Sequence, residues 1–184
     1  MTPKKTLAMS ASDMNLTLET LTGQILEKHV NPDTLVVVGI RTGGAYLAKR
    51  LADKISRRSA RKVRVGILDI TLYRDDWTRI SHKPLVGKTE LPGSIDDQEV
   101  ILVDDVLFTG RTVRAALDAL IDYGRPRRIE LMVLVDRGGR ELPIQPDYVG
   151  RVMDLPPGQR VNVYLKEMGR TDEVAIESGP PERA

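Results

Sequence analysis

The residues best equipped for chemistry stand together in Val100-Ile-Leu-Val-Asp104-Asp105-Val106-Leu107-Phe108-Thr109-Gly110-Arg111-Thr112. An apolar run too short for a helix ends on two adjacent carboxylates, and a turn bearing Thr109, Gly110 and Thr112 then opens into a helical pattern. Gly110 lets the backbone curl closely around a ligand, and the N–H groups of a turn at a helix N-terminus favour an anion. The hydroxyls of Thr109 and Thr112 add neutral donors for phosphate oxygens. Asp104 and Asp105 are wrong for phosphate but right for hydroxyl groups and for a hydrated divalent cation. A phosphate at one end with a diol nearby is the shape of a ribose 5-phosphate. A helix cap needs only one acid and leaves the Thr-Gly-Arg-Thr turn unexplained.

The surrounding elements alternate in type. Met14, Leu18, Leu21 and Ile25 recur at helical spacing after Ser10 and Ser12, either of which can cap, and the helix ends before Asn31-Pro32. Leu35-Val36-Val37-Val38 reads as a buried strand running into the glycine turn Gly39-Ile-Arg41-Thr42-Gly43-Gly44, and Leu47, Leu51 and Ile55 mark the inner face of the next helix. Strands are expected over 63–70, 100–103, 129–135, 148–149, 161–165 and 174–176, with a helix from Val113 to Tyr123. The polar stretch 71–98 is either functional or a hairpin excursion, and Ser178 to Ala184 reads as a frayed tail. Continuous apolar strands between amphipathic helices predict an α/β fold: a mostly parallel sheet, covered on both faces, in one domain spanning residues 1–184. In such sheets ligands sit beyond the carboxyl ends of the strands, which points to Gly39–Gly44, Ile70–Asp76, Asp104–Thr112 and Asp136–Gly139.

Composition narrows the chemistry. The 184 residues contain no Cys and only His29 and His82, which excludes disulfides, thiolate metal sites and a Cys nucleophile and leaves no multi-histidine centre. Aromatic residues are 4% of the chain, too few for stacked base platforms. No apolar run reaches membrane-spanning length and the N-terminus lacks a signal-peptide core, so a cytoplasmic protein with no membrane partner is expected. The net charge of +2 conceals an uneven distribution, with nine basic residues and one acid between Arg41 and Arg64.

The segment from Val100 to Thr112 resembles the motif with which type I phosphoribosyltransferases bind 5-phosphoribosyl 1-diphosphate (PRPP). The resemblance narrows to the PyrR family, whose members combine attenuation of pyrimidine operons with uracil phosphoribosyltransferase activity. Val38–Gly44 and Val100–Thr112 point to phosphoribosyltransferases in general, while Leu68–Asp76 and Leu134–Ile144 match PyrR specifically. The resemblance implies a type I phosphoribosyltransferase fold with a small β-rich hood. It implies that Asp104 and Asp105 hold the ribose hydroxyls and that Val106, Leu107, Phe108, Thr109, Gly110, Arg111 and Thr112 wrap the 5-phosphate. Arg41, Thr42 and Gly43 would offer backbone N–H groups to the diphosphate. Tyr73, Arg74 and Asp75 would start a loop that closes over PRPP, with Arg74 neutralising the leaving group. Arg137 and the backbone at Val161 would lie by the base. Mg²⁺ is the implied cofactor, with Asp104 and Asp105 its only candidate protein ligands, and uracil, UMP and UTP are the implied small-molecule partners. A homodimer or homotetramer is implied as well.

Each block also has a plainer reading: a common strand-to-helix turn at 39–44, a solvated hairpin after 71, and an ion pair of Arg137 with Asp136 or Glu141. Two positions depart from the family pattern. Gly43 stands where Arg is usual, removing a cation near the reacting centre, and Gly139 stands where His is usual.

For leader-RNA binding the candidates are Arg50, Lys54, Arg57, Arg58 and Arg61, whose spacing lines one helix face opposite Leu47, Leu51 and Ile55, together with Arg140. Arg125, Arg127 and Arg128 form a smaller basic cluster. The competing functions are a regulator with little catalysis and a phosphoribosyltransferase for another base.

Overall fold

The computed structural model describes residues 5–75 and 87–178. Strands β1 (Lys5–Met9), β2 (Leu35–Ile40), β3 (Arg64–Leu68), β4 (Glu99–Leu107), β5 (Arg128–Asp136), β6 (Tyr148–Val152), β7 (Gln159–Tyr164) and β8 (Glu173–Ser178) accompany helices α1 (Ala11–Lys28), α2 (Gly43–Ser59) and α3 (Arg111–Ile121). The central sheet is parallel throughout, in the order β3-β2-β4-β5-β6. A second, antiparallel sheet, β1-β8-β7, forms a small hood.

Alternation along the strands decides which face each side chain covers. Val37, Ile101 and Val103 join the core under α1, α2 and the hood, where Leu18, Leu47, Leu51, Val163 and Val174 are buried. Val36, Val38, Val100 and Leu102 face the other way, onto Val113, Ala116, Ala119 and Leu120 of α3. With both faces covered, β2 is buried at every position, which is why it reads as an unbroken apolar run. Helix α1 starts at Ser10, whose hydroxyl accepts from Asp13 N at 3.2 Å while the Asp13 carboxylate accepts from Ser10 N at 2.8 Å.

Several boundaries differ from the sequence reading. Strand β4 continues through the two aspartates to Leu107, because β5 pairs with it as far as Leu107 opposite Asp136. Helix α3 begins two residues earlier than expected, at Arg111, and closes at Ile121. β1 was not expected at all. It is a five-residue edge strand whose first three residues are exposed, so it carries no apolar pattern of its own, and its partner β8 lies at the far end of the chain. In the described part of 71–98 a bridge joins Ile67 to Glu90, and a single 3₁₀ turn covers Thr71–Tyr73. Residues 76–86, where most of the expected closing loop falls, and the tail beyond Ser178 lie outside the described residues.

Candidate active site

The carboxyl ends of β2, β4 and β5 bring the predicted pieces together. Asp104 is 5% exposed and Asp105 half-buried beside it. Asp105 N donates to Asp104 Oδ1 at 3.0 Å, and Val106 N donates to Asp105 Oδ1 at 2.8 Å. Burial pushes the Asp104 carboxyl well above its ordinary value; the Asp105 carboxylate adds to the rise, and the Arg74 charge acts against it. Burial raises the Asp105 carboxyl as well. Such a pair gains from anything that supplies hydroxyl donors or positive charge.

The turn beyond them is held from outside. The carbonyl of Leu107 accepts from Arg137 N at 3.0 Å, and that of Thr109 accepts from Glu141 N and Leu142 N at 2.9 and 3.1 Å. Gly110 adopts a left-handed φ of 92°, which is why glycine is needed there. The Thr109 hydroxyl accepts from Arg111 N at 3.3 Å, covering one orphan amide of α3, and its own proton stays available to donate.

The diphosphate turn comes up against the acidic pair. A Cβ built on Gly43 would lie 2.2 Å from Asp105 Oδ2, and one on Gly44 would lie 2.3 Å from the Val103 carbonyl. The Arg41–Thr42 peptide is cis, and α2 starts without a side-chain cap. Arg41 N is already bonded to the Leu68 carbonyl at 2.9 Å, so the expectation that Arg41 offers its backbone N–H narrows to Thr42 and Gly43. The Arg41 side chain turns aside, donating to the Lys88 carbonyl at 2.9 Å. The absence of Arg at position 43 therefore has a steric side that sequence alone does not reveal: no side chain fits there while Asp105 stands as it does.

Both ends of the 76–86 segment are tied to this site. Asp75 accepts from Arg111 Nη1 at 2.6 Å, and Arg111 Nε binds Glu141 at 2.5 Å. At the other end, Gly87 N donates to Asp69 Oδ2 at 2.8 Å and Asp69 N donates to Thr89 Oγ1 at 3.0 Å. Gly87-Lys88-Thr89 is the final triplet of a P-loop. His82 rather than glycine stands five residues before Gly87, and the Gly87 amide is committed to Asp69, so the triplet is pinned beside the end of β3 instead of cradling phosphate.

A cleft of about 590 Å³ opens between Asp105 and the hood, with Val106, Val161, Asn162, Tyr164, Met168 and Arg170 on its walls. Val161 and Asp105 were predicted here; Asn162, Tyr164 and Arg170 were missed, since their proximity depends on the packing of β7. Asn162 Nδ2 and Tyr164 Oη are both held by Glu177, at 2.9 and 2.7 Å. Arg137 lies over the Phe108 ring, 3.8 Å from its centroid, and donates to the Gln159 carbonyl at 3.1 Å, which ties the phosphate turn to the hood in place of the ion pair with Asp136 or Glu141. Gly139 has a φ of 72°, and a Cβ there would meet Phe108 Cε2 at 2.4 Å, so with this Phe108 placement the position admits glycine only.

Arg50, Lys54 and Arg61 of the basic face expected on α2 are engaged by acids. Arg50 binds Asp172 at 2.8 Å and Glu167 at 2.5 Å, with 17% of its side chain exposed. Lys54 pairs with Glu19 and reaches Asn15 Oδ1 at 2.8 Å. Arg61 pairs with Asp33 at 2.9 Å, and Arg58 donates to the Glu19 carbonyl at 3.2 Å. The acids come from distant sequence, so a charge count along the helix could not reveal them. Arg57, Arg58 and Arg61 stay exposed. The Arg140 side chain is 16% exposed and its guanidinium bonds inward, to Asp136 and to the Phe108 and Ile144 carbonyls.

Two adjacent carboxylates at a strand end, one buried and one half-buried, followed by an anion-shaped turn at a helix N-terminus, define the site of a phosphoribosyltransferase. Residues 13–157 match the model of the phosphoribosyl transferase domain, and the chain belongs to that family. Within it the chain is a member of the PyrR family. It is 52% identical over 177 residues to the "Bifunctional protein PyrR" of Syntrophobacter fumaroxidans, covering 96% of this chain and 95% of the relative. It is 51% identical to the protein of the same name from Desulfosudis oleivorans, covering 94% and 96%. The fold is similar to that of the hypoxanthine phosphoribosyltransferase of Trypanosoma cruzi, with a TM-score of 0.70, 16% identity and coverage of 96% and 97%. The hypoxanthine phosphoribosyltransferase of Staphylococcus aureus gives 0.66 at 21% identity, covering 92% of this chain and 90% of that one. Among the described residues no helix is long and apolar enough to cross a membrane.

Proposed function

We propose that the chain transfers the phosphoribosyl group of PRPP to uracil, giving UMP and diphosphate, and regulates pyrimidine genes by binding leader RNA with UMP or UTP as co-regulator. The observation that carries the enzymatic half is the Asp104–Asp105 pair, set against Gly43 of the diphosphate turn and continuous with the 106–112 turn. Asp104 and Asp105 accept from the ribose hydroxyls, the 106–112 turn with its Thr109 and Thr112 hydroxyls holds the 5-phosphate, and Arg74 meets charge on the departing diphosphate. Uracil occupies the cleft beside Val161 and attacks the anomeric carbon through N1. No covalent enzyme intermediate is needed, so positioning and electrostatics supply the rate.

Among the described residues no group of three or more acidic, His or Cys side chains stands ready to hold a metal. The two aspartates fit Mg²⁺ as hard oxygen donors that leave most of its shell to water and ligand oxygens. Bound there, Mg²⁺ would supply positive charge toward the diphosphate.

The regulatory half rests on membership of the PyrR family and on exposed Arg57, Arg58 and Arg61. The chain is read as cytoplasmic and as a homodimer or homotetramer. Exposed Ile121 at the end of α3, Tyr123 two residues beyond it and Leu72 of the 3₁₀ turn against α3 are apolar surface for such an assembly. Turnover of radiolabelled uracil with PRPP and Mg²⁺, run beside a leader-RNA gel shift, tests both halves. Stoichiometric UMP and diphosphate with a UMP-dependent shift is the expected result. Turnover with a purine base instead, or none with any base, overturns the enzymatic reading.

A further inference from the structure

We propose that Arg140 is a positioning residue for the phosphate turn, acting through the Phe108 carbonyl. Its guanidinium reaches three parts of the site at once. Nη2 binds Asp136 Oδ2 at 2.6 Å, Nε donates to the Ile144 carbonyl at 2.9 Å, and Nη1 donates to the Phe108 carbonyl at 3.1 Å. Asp136 is the last residue of β5, so the group is anchored to the sheet, and only Arg has a planar fork able to make these bonds together.

The bond to Phe108 completes a row. Leu107, Phe108 and Thr109 carbonyls all accept from the 137–142 segment: the outer two from backbone amides, the middle one from Arg140. In a planar trans peptide the N–H points opposite to the C=O of the same unit. Fixing those three carbonyls on one side therefore aims the amides of Phe108, Thr109 and Gly110 together to the other side, making the concave donor set that an anion needs. Without Arg140 the middle peptide is free to rotate, and a phosphate must then restore the order at its own binding cost. With 16% of its side chain exposed and its guanidinium committed inward, Arg140 serves the phosphate turn.

The inference rests on assigning the 106–112 turn to a 5-phosphate. Arg140→Gln should raise KM for PRPP and Kd for UMP together, each about tenfold. KM for uracil at saturating PRPP should stay within about twofold, and amide exchange across 107–111 should quicken in the unliganded protein. Arg140→Lys keeps a charge opposite Asp136 but not the fork; it should fold as the parent does and still lose most of the affinity. If Arg140→Gln does not fold, the lysine variant gives the reading. If either variant is less stable yet binds UMP and PRPP as the parent does, or loses leader-RNA affinity alone, the positioning role is wrong. If the parent itself has no affinity for UMP, the phosphate assignment fails, and this inference with it.

Discussion

Gly43 lies so close to Asp105 that a Cβ on it would come within 2.2 Å of the carboxylate oxygen Oδ2. The diphosphate turn and the ribose carboxylates are thus packed together before any ligand arrives. Gly43→Ala must push one of them aside, and it should lower kcat/KM for PRPP by at least about tenfold, corresponding to roughly 1.4 kcal/mol of transition-state stabilisation. Steady-state kinetics, with circular dichroism confirming the fold, checks this; unchanged kinetics would mean that the two segments move apart freely.

The acidic pair weighs against the fold. Burial raises the Asp104 carboxyl, so its contribution to stability is complete in acid and is lost as pH rises through the raised value. Asp104→Asn removes the ionisation. It should melt higher than the parent at neutral pH, by roughly 2–4 °C for each kcal/mol, and the advantage should vanish below about pH 4. Calorimetric melts across pH decide it.

At the opposite end of the sheet the sign reverses. Glu130, 3% exposed, accepts from Tyr148 Oη at 2.7 Å and pairs with Lys28 at 2.6 Å and His29 at 2.8 Å. Burial pushes its carboxyl up, but the bonds from Lys28, Tyr148 and His29 outweigh burial and bring it from 4.5 down to about 2. The resulting stability, on the order of 3 kcal/mol, is present above the ordinary Glu range and lost as pH falls from about 4.5 to 2. Glu130→Gln should flatten the acid limb of a denaturation-midpoint profile; an unaltered limb would remove Glu130 from the account.

Arg50 is a strut between α2 and the segment carrying Glu167 and Asp172. Arg50→Ala should cost about 2 kcal/mol, between the figures for exposed and buried pairs, because it leaves two partly covered carboxylates without their cation. Leader-RNA affinity should fall further, and lose salt dependence, in Arg57→Ala/Arg61→Ala, whose side chains face solvent. Gel shifts at several salt concentrations, paired with urea melts, separate the two effects.

The sequence carried what local pattern can carry. Met14, Leu18, Leu21 and Ile25 announced α1, the Leu35–Val38 run announced a doubly covered strand, and the Asp104–Thr112 order of acids, glycine and hydroxyls announced the site. What stayed hidden depends on contacts between distant residues. Asp69 becomes an anchor only when Gly87 and Thr89 fold back onto it, and Arg50 becomes a strut only when Glu167 and Asp172 arrive from over a hundred residues away. Gly43 and Gly139 read as missing side chains, whereas their neighbours Asp105 and Phe108 leave those side chains no room.

The central claim is that Asp104 and Asp105 hold the ribose of PRPP. The measurement that meets it most directly is the turnover of labelled uracil at saturating PRPP and Mg²⁺ by Asp104→Asn/Asp105→Asn, beside the parent. Turnover should fall at least about a thousandfold, from the loss of charge-bearing contacts at the reacting sugar, in a protein whose circular dichroism matches the parent's. Turnover equal to the parent's would contradict it.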